Sequence, residues 1–322
     1  MVCVSARRLI AGIFISSVVL AFCGCKKEEG SSGSGGGASG ASSKDLDVIP
    51  VESDVVFSID LAQAQKSALF KEYALPALTK SEDAQKFLTT LKTKCNIDPM
   101  ASATRVTAGV KMEGRQGDVV AVLHGIEKSK ALPCVDQVKE ELAAEKVEAT
   151  KDGDIITMKS PDGTTFFKFT GDTTAVMVGG PKASKERLLE VVQGKSQLKS
   201  SKEFADMYGK INAGHTVWFL VRGDLEPIAK GLEKLNAKAK AVFGSVNATD
   251  GLEARAVMRL ETEEQATQIV DLAKNQGGMA AGMVQKLDID RDKNDARVHI
   301  VMTADQVKSV AGFARGFMGG RR

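Results

Sequence analysis

Short strand-like segments alternate with helix-like segments from Asp45 onward, and this alternation constrains the fold more than any other feature of the sequence. Val55–Asp60 has the β-branched content of a strand, whereas Leu61–Leu78 has helical spacing and contains Pro76, which predicts a kink or break. Turn dipeptides separate later strand-like segments, at Asp152-Gly153, Asp162-Gly163 and Gly171-Asp172. Strands joined by such short turns pair antiparallel, so we expect an α+β fold of mainly antiparallel sheet backed by helices.

The same order of elements occurs twice along the chain. Each round reads strand, helix, hairpin, helix, hairpin, helix, and the first round carries an extra helix and an extra strand. The polar stretch Gly194–Ser201 is the long interruption between the two rounds. We therefore predict two tandem α+β lobes, residues 48–200 and 201–322, related by an internal duplication.

The N-terminal residues have the pattern of an export signal. Arg7 and Arg8 precede Leu9–Phe22, fourteen residues without a charge. A membrane-spanning helix needs about 20 apolar residues, whereas this stretch reaches only 17 even when it is extended through Cys25. We interpret residues 1–24 as a cleaved signal peptide in preference to an uncleaved anchor.

The end of this segment, Leu20-Ala21-Phe22-Cys23-Gly24-Cys25, resembles the lipobox of bacterial lipoproteins. The resemblance implies that Cys25 is diacylated, because Gly24 is the small residue that precedes the modified cysteine; Phe22 stands where leucine is usual. In that family an aspartate directly after the lipidated cysteine favours the inner membrane, and this chain has Lys26. The resemblance therefore implies a lipid-anchored protein of the bacterial cell envelope, in the outer membrane and facing the periplasm.

Residues 25–47 are interpreted as a lipid-anchored, flexible tether. After Lys-Lys-Glu-Glu, residues 30–43 contain only Gly, Ser and Ala, including six glycines and six serines, and no apolar core can form from them. A Gly/Ser coil of this length reaches roughly 25 Å. Such a tether holds a folded body clear of the lipid headgroups.

The chain beyond the tether loosely resembles uncharacterised bacterial lipoproteins that contain tandem α+β lobes. The resemblance is carried by Leu46-Asp47-Val48-Ile49-Pro50 and by the Val-rich first strand, Val55–Asp60. It implies an envelope location and a two-lobe fold. Those proteins bring no known activity, so the resemblance implies no reaction.

Charge and composition exclude several classes of function. Hydrophobic residues make up 43% and charged residues 26% of the chain, with a net charge of +3, which excludes a polytopic membrane protein and gives no footprint for nucleic acid. Aromatic residues are limited to 13 Phe, 2 Tyr and 1 Trp, and the chain has only 3 His. The chain therefore has few aromatic residues for stacking against nucleobases and few histidines for a multi-histidine metal site.

Two cysteines remain once the signal peptide is removed and Cys25 is lipidated: Cys95 and Cys134. An even number of cysteines in an oxidising compartment favours a disulfide. Cys95 ends one helix-like segment and Cys134 begins another, with a hairpin between them. A structural disulfide is the interpretation that we favour, and two buried thiols are the alternative.

No catalytic or metal-binding motif is complete. Asp288–Asp295 begins like an EF-hand calcium loop, but Lys293 stands where glycine is required and His299 where a bidentate glutamate closes the site. We interpret this run as a strand with solvent-facing acids that turns at Lys293-Asn294. His124, His215 and His299 lie singly on strand-like segments. We therefore predict no enzyme, no metal and no cofactor.

Two Gly-containing helical segments near the C-terminus carry methionine and phenylalanine side chains that suit an adaptable apolar surface. The candidate groove residues are Met279, Met283, Phe313 and Phe317. The alternative is that these helices simply pack against each other within the second lobe.

These features predict a non-catalytic lipoprotein that acts as a periplasm-facing binding or scaffolding module. Its expected partners are the membrane, through the N-terminal lipid, and a protein or an apolar ligand, but no nucleic acid. The alternative functions are a carrier of an apolar ligand in a groove between the lobes and an enzyme whose site is not visible in sequence.

Overall fold

The computed structural model describes residues 44–78, 82–113, 116–194, 198–277 and 282–310, which form a mixed α+β fold. They divide into two compact units, of which the first comprises residues 44–62 and 71–202 and the second comprises residues 63–70 and 203–310. The predicted boundary lies at residues 200/201, and these two units divide between residues 202 and 203. The prediction is wrong for residues 63–70, because Gln63 donates to the carbonyl of Gly214 and accepts from the hydroxyl of Thr216, both in the second unit.

The first unit contains seven of the strands in the described residues, in the order β1-β2-β3-β7-β6-β5-β4, and each neighbouring pair is antiparallel. The strands are β1 Val55–Asp60, β2 Arg105–Glu113, β3 Gln116–His124, β4 Glu148–Asp152, β5 Ile155–Ser160, β6 Gly163–Phe169 and β7 Thr174–Gly180. The turn dipeptides at Asp152-Gly153 and Asp162-Gly163 lie between β4, β5 and β6, as predicted.

The second unit contains five strands in the described residues, in the order β11-β12-β10-β9-β8, and these pairs are also antiparallel. The strands are β8 Val217–Arg222, β9 Ala239–Asn247, β10 Gly251–Leu260, β11 Lys286–Asp292 and β12 Asp295–Thr303. Lys293, with φ 55°, forms the β11–β12 turn. The predicted turn at Lys293-Asn294 is confirmed, but the prediction that the acids of this run face solvent is wrong for Asp295, which is 2% exposed and bonded to Arg259.

The α-helices of the described residues are short or medium in length. They are α1 Leu61–Ala64, α2 Leu75–Leu78, α3 Glu82–Cys95, α4 Pro99–Ser102, α5 Lys128–Gln137, α6 Lys139–Ala144, α7 Lys185–Val192, α8 Lys202–Tyr208, α9 Glu226–Glu233 and α10 Glu263–Gly277, and residues 304–310 are also helical. Two helices begin with a capping contact: Thr262 accepts from the amide of Gln265, and Thr303 and Gln306 bond each other's amides.

In the first unit, helices α3, α5 and α6 pack over the β4–β7 end of the sheet. Their core includes Val138, Leu142, Ile156 and Phe169, together with both cysteines. Cys95 and Cys134 lie at disulfide distance, with an S–S distance of 1.92 Å and a Cα–Cα distance of 5.1 Å. The favoured pairing of these two cysteines is therefore seen in the structure, where it joins α3 to α5.

In the second unit, α9 and α10 cover one face of the sheet, and their core includes Leu232, Leu260 and Val270. Helix α8 contributes to the packing of the opposite face, where Tyr208 lies edge-on to Trp218 with ring centroids 5.2 Å apart. Trp218 and Phe243 are fully buried there. The strand period of two explains this division, because alternate residues of each strand point to opposite faces.

Candidate functional site at the start of the folded body

The N-terminal segment, residues 44–54, carries a buried carboxylate, Asp45, which is 2% exposed although it lies only two residues after the Gly/Ser/Ala stretch 30–43. Asp45 accepts a hydrogen bond from the hydroxyl of Thr107 at 3.0 Å. Nε2 of His124 lies 3.0 and 3.1 Å from its two oxygens. Because a buried carboxylate without donors would be strongly destabilised, these contacts are what allow Asp45 to be buried.

The register of the sheet brings the partners of Asp45 onto one face. Ser58 of β1 lies opposite Thr107 of β2, and His124 of β3 lies opposite Thr174 of β7. Arg105 lies opposite His124 and is two residues from Thr107, so the β2 and β3 side chains also share a face. The sequence contains no local signal for this site, because its members come from four different strands and from the segment before them.

The direction of each hydrogen bond follows from the carboxylate, which can only accept. Thr107 therefore donates to Asp45, and Ser58, whose Oγ lies 3.0 Å from Oγ1 of Thr107, donates to Thr107. Nε2 of His124 also donates to Asp45, while Nδ1 lies 3.3 Å from the Thr174 hydroxyl. We call these five residues, Asp45, Ser58, Thr107, His124 and Thr174, the N-terminal latch.

The rest of the N-terminal segment continues along the first unit. Ile49 is fully buried over Gly109, where an added Cβ would lie 2.6 Å from Cγ2 of Ile49. The carbonyl of Ile49 accepts from the amide of Leu198 at 2.9 Å, and Glu52 pairs with Arg187 at 2.5 Å. The prediction that the tether extends to residue 47 is therefore wrong at its end, because Asp45 and Leu46 are already buried in the first unit.

The latch holds chain segments together. Thr174, His124 and Asp45 have the order of a hydroxyl, a base and an orienting acid. The hydroxyls of Ser58 and Thr107 are 3% and 0% exposed and are bonded inward. A cavity of about 420 Å³ in the first unit is lined by none of the latch residues; its lining is Lys128, Ser129, Leu132, Pro133 and Asp172. The geometry therefore supports attachment of the N-terminal segment to the sheet.

The second unit has an ion-pair cluster at the corresponding end of its third strand. Arg259 of β10 lies opposite Asp295, the first residue of β12, and donates two hydrogen bonds to it at 2.8 and 2.9 Å. Nζ of Lys210 donates to the same carboxylate at 2.7 Å, and Asp206 lies 2.7 Å from the guanidinium. The guanidinium also lies over the ring of Phe243, 5.4 Å from its centroid.

Electrostatics in this cluster favour the charged forms of its members. Burial alone would raise the pKa of Asp295, but the hydrogen bonds from Arg259 and Lys210 outweigh it, so the pKa lies below 3.8. The hydrogen bond to Asp295 is the largest factor that raises the pKa of Arg259. Asp295 and Arg259 are therefore both charged at neutral pH.

A third polar cluster in the second unit contains two of the three histidines. Nε2 of His299 lies 3.0 Å from Glu253, whose carboxylate also accepts from Arg255 at 2.9 Å. His215 is only 9% exposed. Burial lowers its pKa, an effect that the charge of Glu253 opposes and the charges of Arg255 and His299 reinforce. Sequence reasoning treated these histidines as isolated because β8, β10 and β12 are far apart along the chain.

The other residues singled out from sequence are only partly described. Met283 is 49% exposed in the second unit. Cys25, Met279, Phe313 and Phe317 lie outside the described residues. Within the residues that the structure describes, no group of three or more His, Cys, Asp and Glu side chains can hold a metal ion, and no helix is long and apolar enough to cross a membrane.

Comparison with known proteins identifies a shared fold. No family model matches the chain, and no curated protein matches it. Crystal forms I, III and IV of TP0453 match with TM-scores of 0.50, 0.51 and 0.52 at 11%, 12% and 12% sequence identity. Each match covers 83% of this chain and 96–97% of TP0453. At this level of identity the likeness shows the fold alone.

Proposed function

We propose that the protein is a non-catalytic lipoprotein, held by its N-terminal lipid on the periplasmic side of the bacterial outer membrane, that acts as a binding or scaffolding module. The observation that carries this proposal is the N-terminal latch. Asp45 follows the Gly/Ser-rich tether and is bonded to the second and third strands of the first sheet. A tether fixed to the middle of a sheet attaches the body firmly, as a membrane-anchored module requires.

The cysteine pair supports the proposed compartment. Cys95 and Cys134 lie at disulfide distance, and disulfides persist in oxidising compartments such as the bacterial periplasm. The remaining cysteines, Cys3, Cys23 and Cys25, all fall in the segment interpreted as signal peptide and lipid-attachment site. Export therefore accounts for every cysteine of the chain.

We also infer that the two units arose by duplication. The order β1-β2-β3-β7-β6 in the first unit corresponds position by position to β8-β9-β10-β12-β11 in the second, and β5 and β4 are the additional strands. His124 ends β3 and faces the first residue of β7, while Arg259 lies next to the end of β10 and faces the first residue of β12. Two units of like topology offer two related surfaces, which suits a scaffold.

A second candidate function, carriage of an apolar ligand, is favoured by Met283. Methionine has an unbranched, polarizable side chain that adapts to varied apolar partners. The side chain of Met283 is available for such contacts, because it is 49% exposed. In this role the second unit would bind the ligand, and the lipid anchor would keep it at the membrane.

Replacement of single cysteines tests the anchoring. Cys25→Ser is expected to abolish incorporation of an alkyne-tagged fatty acid and to move the protein out of the detergent phase. Cys23→Ser is the matched control, because it removes a neighbouring thiol but leaves the proposed lipidation site. Loss of label in the Cys23 variant alone, or an unlabelled wild-type protein, would disprove lipidation at Cys25.

Crosslinking in intact cells tests the binding role. The membrane fraction is purified after crosslinking, and bound proteins and lipids are identified by mass spectrometry. A specific protein partner supports the scaffold, and a stoichiometric apolar molecule supports the carrier. If neither is recovered and the purified protein turns over a substrate, the non-catalytic proposal is wrong.

A further inference from the structure

The second unit contains a group of buried polar atoms without hydrogen-bond partners. Within the described residues four such side-chain atoms occur, and three of them are Nδ1 of His215, Nε1 of Trp218 and Oγ of Ser245. Trp218 and Ser245 are each 1% exposed and lie opposite each other on β8 and β9. We call these three residues the β8 polar patch. A buried polar group without a partner destabilises the closed state, so the closed state of this region is less stable than one in which every buried polar group is bonded.

Burial and the neighbouring charges together disfavour the protonated form of His215. Glu253 and Arg255 approach it from β10, and His299 approaches it from β12. Glu253 is the only anion among these neighbours, and its carboxylate is already shared between Arg255 and His299. A proton on His215 would therefore place a positive charge in a buried position close to the guanidinium of Arg255.

The segment that contains His215 is held by hydrogen bonds that connect three parts of the second unit. Gln63 donates to the carbonyl of Gly214, and the hydroxyl of Thr216 donates to Gln63 at 2.6 Å. The same hydroxyl lies 3.2 Å from Oδ1 of Asn247 on β9. These contacts are confined to the two residues that flank His215, so the imidazole ring itself is kept in place by burial.

We propose that protonation of His215 opens the β8 polar patch, so that mildly acidic surroundings loosen the second unit at the start of β8. In the open state the imidazole and the indole N–H reach water, and the proton is bound at the ordinary affinity of histidine. The closed state binds that proton more weakly, because burial lowers the pKa of His215 below 6.5. Opening is therefore favoured increasingly as the pH falls below about 6.5.

Trp218 provides a built-in reporter, because it is the only tryptophan of the chain and lies three residues after His215. Acrylamide quenching of its fluorescence and hydrogen exchange of the amides of residues 214–220 would be measured from pH 7.5 to pH 5. We expect the opening constant, corrected for the pH dependence of intrinsic exchange, to rise about thirty-fold over this range, as one proton bound to the open state alone requires.

Two variants separate the contribution of His215 from general effects of acid. His215→Phe retains a buried ring that cannot be protonated and is expected to lose the pH response of Trp218. His124→Gln, in the first unit, is the matched control and should retain it. An unchanged Trp218 signal between pH 7.5 and pH 5, or an equal response in His215→Phe, would overturn the proposal. If that variant does not fold, NMR titration of wild-type His215 decides the question: titration at or above the ordinary pKa of 6.5 overturns it.

Discussion

The two units place polar residues at the same position of their sheets but stabilise them in different ways. In the first unit, His124 at the end of β3 is held by Asp45 from the segment before β1, and the other partners are neutral hydroxyls. In the second unit, Arg259 near the end of β10 is held by Asp295 of the next strand in the sheet, and the segment before β8 contributes Lys210 to Asp295 and Asp206 to Arg259.

This difference shows that one structural need can be met in two ways. In both units the segment that precedes the first strand is attached to the sheet near the end of the third strand. The first unit uses a single buried carboxylate and relies on hydrogen bonds to hydroxyls and a histidine. The second uses Asp206 and Lys210, which belong to an ion-pair cluster. Removal of a buried ion-pair partner is more destabilising than loss of a single hydrogen bond to a charged group.

The largest effect is expected from Asp295→Ala, which leaves Arg259 and Lys210 without their shared carboxylate. Asp295 is 2% exposed, so we expect its removal to lower the free energy of unfolding of the second unit by about 3–5 kcal/mol. Urea denaturation followed by hydrogen exchange of β10 and β12 measures this. Asp288→Ala, at a half-exposed position of β11, should lower it by less than about 1 kcal/mol. Equal effects of the two substitutions would contradict the assigned role of the cluster.

Replacement of both Cys95 and Cys134 by serine is expected to weaken the first unit selectively. The disulfide joins residues that are 39 positions apart, and its loss should cost about 2–4 kcal/mol through the greater freedom of the unfolded chain. The intact mass of oxidised wild-type protein should lie about 2 Da below that of the reduced form, since two hydrogens are removed. Alkylation of both thiols in unreduced native protein would contradict the pairing.

Asp45→Asn is expected to lower the free energy of unfolding of the first unit by about 2 kcal/mol, because hydrogen bonds to a buried charge are lost. It should also speed hydrogen exchange in β2 and β3. Asp47→Asn is the matched control: its carboxylate is 37% exposed and lies 3.7 Å from Lys199, so an effect below about 0.5 kcal/mol is expected. If both variants behave alike, the latch does not hold the N-terminal segment.

The ion-pair cluster of the second unit also predicts how the stability of that unit depends on pH in acid. Because the pKa of Asp295 is lowered in the folded state, its contribution is fully present above the ordinary pKa of 3.8 and is lost as the pH falls further, through the folded-state pKa. The difference in unfolding free energy between the wild type and Asp295→Ala should therefore be constant from pH 7 to pH 5 and decrease below pH 3.8. A difference that decreases already between pH 7 and pH 5 would assign the stabilisation to another group.

The smallest effect on stability is expected from Met283→Lys, which changes an exposed side chain and should alter the unfolding free energy by less than about 0.5 kcal/mol. If the second unit carries an apolar ligand, this variant should lose bound lipid or partner in the crosslinking experiment. Met112→Lys is the control, because Met112 is 42% exposed in the first unit. Retention of every bound molecule in the Met283 variant would exclude the carrier and leave the scaffold.

Local features of the fold could be predicted from the sequence because their causes are local. The turn at Lys293-Asn294 and the Thr303–Gln306 cap depend on residues within a few positions of each other. Asp224 is an exception: it is a residue type that often caps helices and it lies just before α9, but its carboxylate pairs with Arg222 and the helix has no side-chain cap. Neighbouring charges compete for the same carboxylate, and a capping pattern alone does not decide which of them binds it.

The candidate site could not be predicted, because its contacts join residues that are distant along the chain. Asp45 and His124 are 79 positions apart, and Arg259 and Asp295 are 36 apart. Their meeting depends on the order and register of the strands, and a shift of one residue would turn each side chain to the other face. The burial of Leu46 was missed for the same reason: next to a Gly/Ser-rich run, its environment is set by the sheet and not by its neighbours in sequence.

The position of Asp45 has a mechanical consequence for a protein that is pulled by its N-terminus. Tension along the tether reaches Asp45 first, so its bonds to Thr107 and His124 carry the load before any pair of strands does. If they yield, residues 45–54 can peel away from the sheet and lengthen the tether by about 33–36 Å, at about 3.3–3.6 Å per extended residue. The N-terminal segment thus detaches first under force and lengthens the chain, while the disulfide-linked helices and the strands of the first unit stay folded.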